Sequence, residues 1–233
     1  MTESATPVRI IEETPAYWRV AFDYPPFNIV DASIFEALQD LLARMDASPS
    51  LRVVVFESAN PEFYLSHFDL TGKLGNIMTA VGPSGLPILL DTFVRLTKSP
   101  VVSIAKIRGC VRGVSSEFVL ACDMRFASRE NTRLGQPEVG VGLHPGGGGA
   151  ERLPHLVGRG RALEIVLGAN DFEGAAAADQ MWQAFRTAGR QDAIPPRLRA
   201  GPVACSRARR SAGRRRGRTR CSRPGRSLGS SRC

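Results

Sequence analysis

Residues 51–58 read LRVVVFES and residues 101–107 read VVSIAKI. In both, β-branched and other apolar side chains follow one another without the polar alternation of a strand that keeps one face in water. Successive side chains of a strand point to opposite faces, so an unbroken apolar run must be covered on both. Such runs are buried strands of parallel-sheet character, and a sheet of that kind needs helices around it.

The rest of the chain supplies the alternation. VRIIEE and YWRVAFDY, parted by a Thr-Pro, suit strands. DASIFEALQDLLARMD follows, with Ile34, Leu38, Leu41, Leu42 and Met45 at helical spacing and Asp31 or Ser33 as its cap. A polar, Pro-containing loop leads to FYLSHFDL, a weakly helical stretch over 70–80 and a break at GPSGLP. ILLDTFVRLTKS reads as a helix, RGCVRG as a loop, SSEFVLAC as a short helix and DMRFAS as a strand. LGQPEVGVGLHPGGGG is a long glycine-rich connection, and AERLPHLV and GRALEIVLGAN are helices. The expected class is α/β, one domain ending near residues 174–185.

The formal charge of +9 invites a nucleic-acid reading until it is located. From Arg186 to Cys233 there are fifteen Arg and one acid, Asp192, a net of +14, which leaves −5 for residues 1–185. A nucleic-acid partner is therefore not expected of the domain. ARRSAGRRRGRTRCSRPGRSLGSSRC has no aromatic and almost no aliphatic residue, so it is expected to be disordered. The division is a core over 1–185 and a low-complexity tail over 186–233. Three readings of the tail compete: an arm binding RNA or an acidic surface, a solvated tail without a role, and GC-rich codons translated out of frame, which give mostly Arg, Ala, Gly and Pro. The last is preferred.

Cys110 and Cys122 lie in the core, and Cys205, Cys221 and Cys233 in the tail, with no C-x-x-C and no Cys/His cluster at zinc spacing. His67 and Asp69 stand two apart without a third ligand, so no metal site is expected. No apolar run reaches membrane-spanning length, and MTESATPV lacks the regions of a signal peptide. No membrane association and a cytoplasmic location are expected.

GGGG at 146–149 is not a Walker loop, and GVSSE is not a nucleophile elbow. Two glutamates remain. Glu117 sits among Val114, Phe118, Val119, Leu120, Ala121 and Cys122, with no basic residue within four positions. A carboxylate so placed must be paired, neutralised or used. Glu138, in LGQPEVGVG, is equally poor in partners. Both follow buried strands on successive connections, so pairing of those strands would bring them to one sheet edge as an acid and a base. The alternative is two surface or helix-end glutamates. The N–H of Val114 stands at a helix start, and FYLSHFDL ends at Asp69, a candidate N-cap. Two such N–H groups facing one carbonyl would form an oxyanion hole; the alternative is an N-terminus that stabilises only its own helix.

Together these residues resemble the crotonase, or enoyl-CoA hydratase/isomerase, superfamily, from about Val8 to about Gly174. RVVVFESANPEFYLSHFDL resembles the family's strand and A-G-A-D-[IL] loop. SPVVSIAKIRGCVRGVSSEFVLACDMRFAS is similar to its P-V-I-A-A-V-x-G-x-x-x-G-G-G-x-E-L-A-x-x-C-D stretch, and LGQPEVGVGLHPGGGGAERLPHLVGRGRALEIVLGAN to its F-G-x-P-E-x-x-x-G-x-x-P-G-x-G-G-x-x-R-L stretch. The resemblance implies a spiral of ββα units, assembled as trimers or dimers of trimers, that binds acyl-CoA thioesters. It implies hydration of an α,β double bond by Glu117 and Glu138, with the Phe68 and Val114 N–H groups on the thioester oxygen. Ser66, His67, Asp69, Leu70 and Gly113 would flank the substrate. Coenzyme A would enter as part of the substrate, with no other cofactor. The other activities implied are isomerase, thioester hydrolase and decarboxylase, and the rival is an inactive core with a cationic binding tail. Ser66-His67-Phe68 replaces the family's usual A-G-A, and Gly113-Val114-Ser115 its three glycines, but backbone donors survive such changes. His144 and His155 read as structural. The last family helices, which close the acyl pocket and build the trimer, are expected to be replaced by the tail.

Overall fold

The structure is a computed structural model that describes residues 6–71 and 77–177 and the backbone of 185–187. The expected tail, apart from the backbone of its first two residues, lies outside the described residues.

Among the described residues ten strands share two sheets. β1 (Val8–Thr14), β2 (Tyr17–Phe22), β3 (Val53–Ser58), β5 (Val102–Ile107), β7 (Met124–Ala127) and β10 (Phe185–Thr187) form the larger, in that order. β4 (Phe63–Leu65), β6 (Cys110–Arg112), β8 (Arg133–Gly135) and β9 (Asp171–Glu173) form the smaller. Of the pairings between these strands, β1–β2 and β8–β9 are antiparallel and the others parallel. The chain gives one strand to the large sheet, the next to the small sheet, and then turns into a helix. β3, β4 and α2 (Ile88–Lys98) make one such unit, and β5, β6 and α3 (Val114–Ala121) the next. This is the ββα spiral.

The apolar runs behave as their composition requires. In β3, Val54 and Phe56 face the main core, while Val53 and Val55 join Ile104 and Phe126 in a second cluster. Register pairs Val54 with Ser103 and Val55 with Ile104, so the two strands alternate in phase. α1 (Ala32–Ala47) buries Ile34, Phe35, Leu38, Leu41, Leu42 and Met45, and Asp31 caps it by accepting from the Ser33 and Ile34 N–H groups.

Two local expectations are corrected. RGCVRG is not only loop, because residues 110–112 form β6 between β4 and β8. Among the described residues Asp69 begins no helix, since 70 and 71 are bends; its carboxylate accepts from the N–H and hydroxyl of Thr71. Of the helix expected over 70–80, residues 77–80 form a turn and 72–76 lie outside the described residues.

Candidate active site

β4, β6 and β8 are parallel neighbours, so the segments that leave them emerge at one edge of the small sheet. Those segments are 66–69, 113–117 and 136–138, which carry every residue picked from the sequence except Leu70. Two bonds tie them together: Ser115 Oγ donates to the Leu65 carbonyl at 2.7 Å, and the Gly113 N–H donates to the Gly135 carbonyl at 3.1 Å.

α3 is buried along its whole length. Its angular setting is fixed by Phe118, whose ring meets Phe56 at 5.0 Å, Phe22 at 5.5 Å and Phe93 at 6.1 Å between centroids. Glu117, one residue earlier in the first turn, is thereby held inside the protein at 3% exposure. Its Oε1 accepts from the Gly147 and Gly149 N–H groups, each at 2.8 Å. Burial pushes its carboxyl up to about 7, the charge of Glu138 adds to that, and the two N–H groups and Arg152 oppose it.

Glu138 opens a short 3-10 turn, Glu138–Val141, and is half-buried. Desolvation raises its pKa too, and His144 opposes the rise. Buried Gln136 bridges the two connections: with its amide nitrogen turned to Glu138 it donates to Oε2 at 3.0 Å, and its oxygen accepts from Ser116 Oγ at 3.1 Å. That orientation satisfies both ends.

Gly113 adopts φ 59, ψ −128, and a Cβ there would stand 2.9 Å from Glu138 Oε1. A Cβ on Gly147 would stand 2.5 Å from Glu117 Oε2. Both positions therefore need glycine, the first for backbone and the second for space.

No side chain caps α3, and among the described residues the Val114 N–H meets no acceptor. The Phe68 N–H likewise has none, since the bonds of its segment use the Ser66 N–H, the His67 carbonyl and the Asp69 N–H. The Phe68 side chain turns inward, edge-on to Phe35 at 6.2 Å, and Val114 lies in the core. Ser66 is buried, and its hydroxyl lies 3.2 Å from Nδ1 of His67, which is exposed; Leu70 is exposed as well. Among the described residues no group of three or more His, Cys, Asp or Glu is arranged to hold a metal ion, and no helix is long and apolar enough to cross a membrane.

Sequence reasoning missed Gln136, His144, Gly147 and Gly149 as parts of this site. Gly147 and Gly149 lie about thirty residues from Glu117 and act through the backbone, so only the density of glycine in 146–149 pointed to them. The arrangement offers two desolvated carboxyls, one of which can hold a proton while the other is ionised, beside two unused N–H donors.

A family model described as enoyl-CoA hydratase/isomerase matches residues 14–181. Over 164 residues the chain is 29% identical to the fatty acid oxidation complex subunit alpha of Vibrio parahaemolyticus serotype O3:K6 (strain RIMD 2210633), covering 67% of this chain and 23% of that protein. The chain thus spans less than a quarter of that relative's length. A candidate enoyl-CoA hydratase from Streptomyces avermitilis has a similar structure, with 34% identity, TM-score 0.71, and 78% of this chain and 67% of that one covered. Pseudomonas aeruginosa DspI shares the fold at 24% identity and TM-score 0.71, over 88% of this chain and 85% of its own.

Proposed function

The chain belongs to the enoyl-CoA hydratase/isomerase family, and from that premise we propose that it adds water across the α,β double bond of an acyl-CoA thioester. The thioester oxygen accepts from the Phe68 and Val114 N–H groups, which draws electron density from the β-carbon. One carboxylate of the Glu117–Glu138 pair takes a proton from water as the water oxygen bonds to that carbon. The π electrons move toward the α-carbon and the carbonyl oxygen. The carboxylic acid of the pair then delivers its proton to the α-carbon, and exchange with solvent restores the starting protonation. Ser66, His67, Asp69, Leu70 and Gly113 flank the substrate. Coenzyme A arrives as part of it, and this chemistry calls on no other cofactor.

The observation that carries the reading is two desolvated carboxyls in reach of each other's charge, Glu117 held by the Gly147 and Gly149 N–H groups and Glu138 set against Gly113 at the start of α3. Loss of the enoyl absorbance of crotonyl-CoA tests it. Glu117→Gln and Glu138→Gln should each lower kcat by about 10²–10⁴-fold, the range of general acid–base help. Unchanged turnover in both variants removes the acid/base assignment. Product identification in the same assay separates hydration from isomerisation, thioester hydrolysis and decarboxylation.

The reading extends to assembly as a homotrimer or hexamer. Val141, Leu143 and Leu167 are 68%, 49% and 63% exposed. They lie around the 3-10 turn and α5 (Arg159–Gly168), the helix after α4 (Gly149–Val157); the turn and α5 pack together and so supply an apolar surface for another copy.

A further inference from the structure

Asn28 takes no part in the proton chemistry, yet it is 1% exposed and holds the left-handed backbone at φ 51. Its Nδ2 donates to Ser58 Oγ at 2.8 Å, the Tyr64 carbonyl at 3.1 Å and the Phe63 carbonyl at 3.2 Å, with the Phe22 carbonyl at 3.4 Å. Its Oδ1 accepts from the Tyr24 N–H at 2.7 Å. One amide thus joins the ends of β2 and β3 in the large sheet to β4 in the small one. Asparagine tolerates positive φ better than other residues with a side chain, and this set of bonds repays its use here.

The backbone that follows runs beside residues 66–69. The Asn28 carbonyl accepts from the Ser66 N–H at 2.8 Å, the Val30 N–H donates to the His67 carbonyl at 3.1 Å, and the Val30 carbonyl accepts from the Asp69 N–H at 2.9 Å. Val30 and Phe68 form a parallel bridge. Because this ladder uses the residues on either side, the Phe68 N–H points away from it, as alternation in an extended strand requires.

We infer that Asn28 is a positioning residue for the Phe68 N–H: it fixes the start of the ladder that aims this donor. The inference rests on the proposed role of that N–H at the thioester oxygen. Asn28→Gly keeps the left-handed backbone and removes the amide, while Asn28→Asp keeps an acceptor for Tyr24 and removes the donor. Ser58→Ala, which removes one acceptor of Nδ2 together with the Ser58 Oγ bonds to Asn60 and Phe63, serves if both fail to fold. In the full chain the variants should lose about 10²-fold in kcat, the scale of a displaced oxyanion donor, with KM within about threefold. The infrared carbonyl band of bound crotonyl-CoA should lose the red shift it has on the wild-type protein. The Ser66 and Asp69 amides should exchange hydrogen faster.

Variants that melt lower but keep wild-type kcat and the shifted band would show a structural role alone and overturn the inference. If the wild-type protein neither hydrates crotonyl-CoA nor shifts its carbonyl band, it is the functional reading that has failed. Exchange then decides the positioning separately: unchanged protection of Ser66 and Asp69 in a folded variant overturns it, and lost protection supports it.

Discussion

Glu117 keeps its proton to about pH 7 in the folded protein, against 4.5 as an ordinary glutamate. The folded chain therefore binds a proton that the unfolded chain releases between those values. Stability fully present below about pH 4.5 is lost as pH rises toward 7, on the order of 3 kcal/mol. Glu117→Gln cannot ionise, so it should melt above the wild type at pH 8 and gain little at pH 4.5. A melting difference that stays flat across that range would contradict the desolvation account. The sequence revealed this residue because nothing within four positions could pair with it. It did not reveal the groups that hold it, since the N–H donors of Gly147 and Gly149 are backbone and belong to no side-chain pattern. Phe68 was found by motif, but whether its ring filled the site or the core depended on Phe35, which a motif does not contain.

Long elements were readable, and of the short ones α3 and β7 were read but β6 was not. The apolar runs of β3 and β5 and the spaced leucines of α1 are long enough for period to speak, whereas β6 has three residues whose strand character comes from β4 and β8 on either side. α2 shows a second kind of hidden information. Asp91, 0% exposed on this helix, accepts from the Ser84 N–H at 2.7 Å and Gln39 Nε2 at 2.9 Å, and so clamps the 82–86 turn against α1 and α2. In the sequence it looks like one more polar helix residue. Asp91→Ala removes the acceptor of the Ser84 N–H and one of the two acceptors of Gln39 Nε2, and takes a carboxylate from Arg95, and should cost about 1–3 kcal/mol in urea unfolding. A loss below about 1 kcal/mol, typical of a surface site, would mean that the clamp contributes little.

At the scale of the molecule, the exposed apolar side chains about α5 bear on assembly. Sedimentation equilibrium should give a multiple of the 25.2 kDa chain mass, and Val141→Glu with Leu167→Glu should return it to one chain. An unchanged assembly in that double variant would place the contact elsewhere. The spiral also sets an order of events in time. Each pairing that frames the site joins distant residues: Phe63 with Cys110, Cys110 with Arg133, and Glu117 with Gly149. Such non-local closures are slow and come late in folding. On the ribosome, where synthesis runs from the N-terminus, Glu117 emerges about thirty residues before the amides that will receive it. Until Gly147 and Gly149 follow, the N–H groups that Oε1 accepts from do not exist, and burying the carboxyl without them would cost the free energy of an unpaired polar group. The buried carboxyl of Glu117 thus ties α3 to a loop made about thirty residues later, and the helix gains these polar partners only once that loop exists.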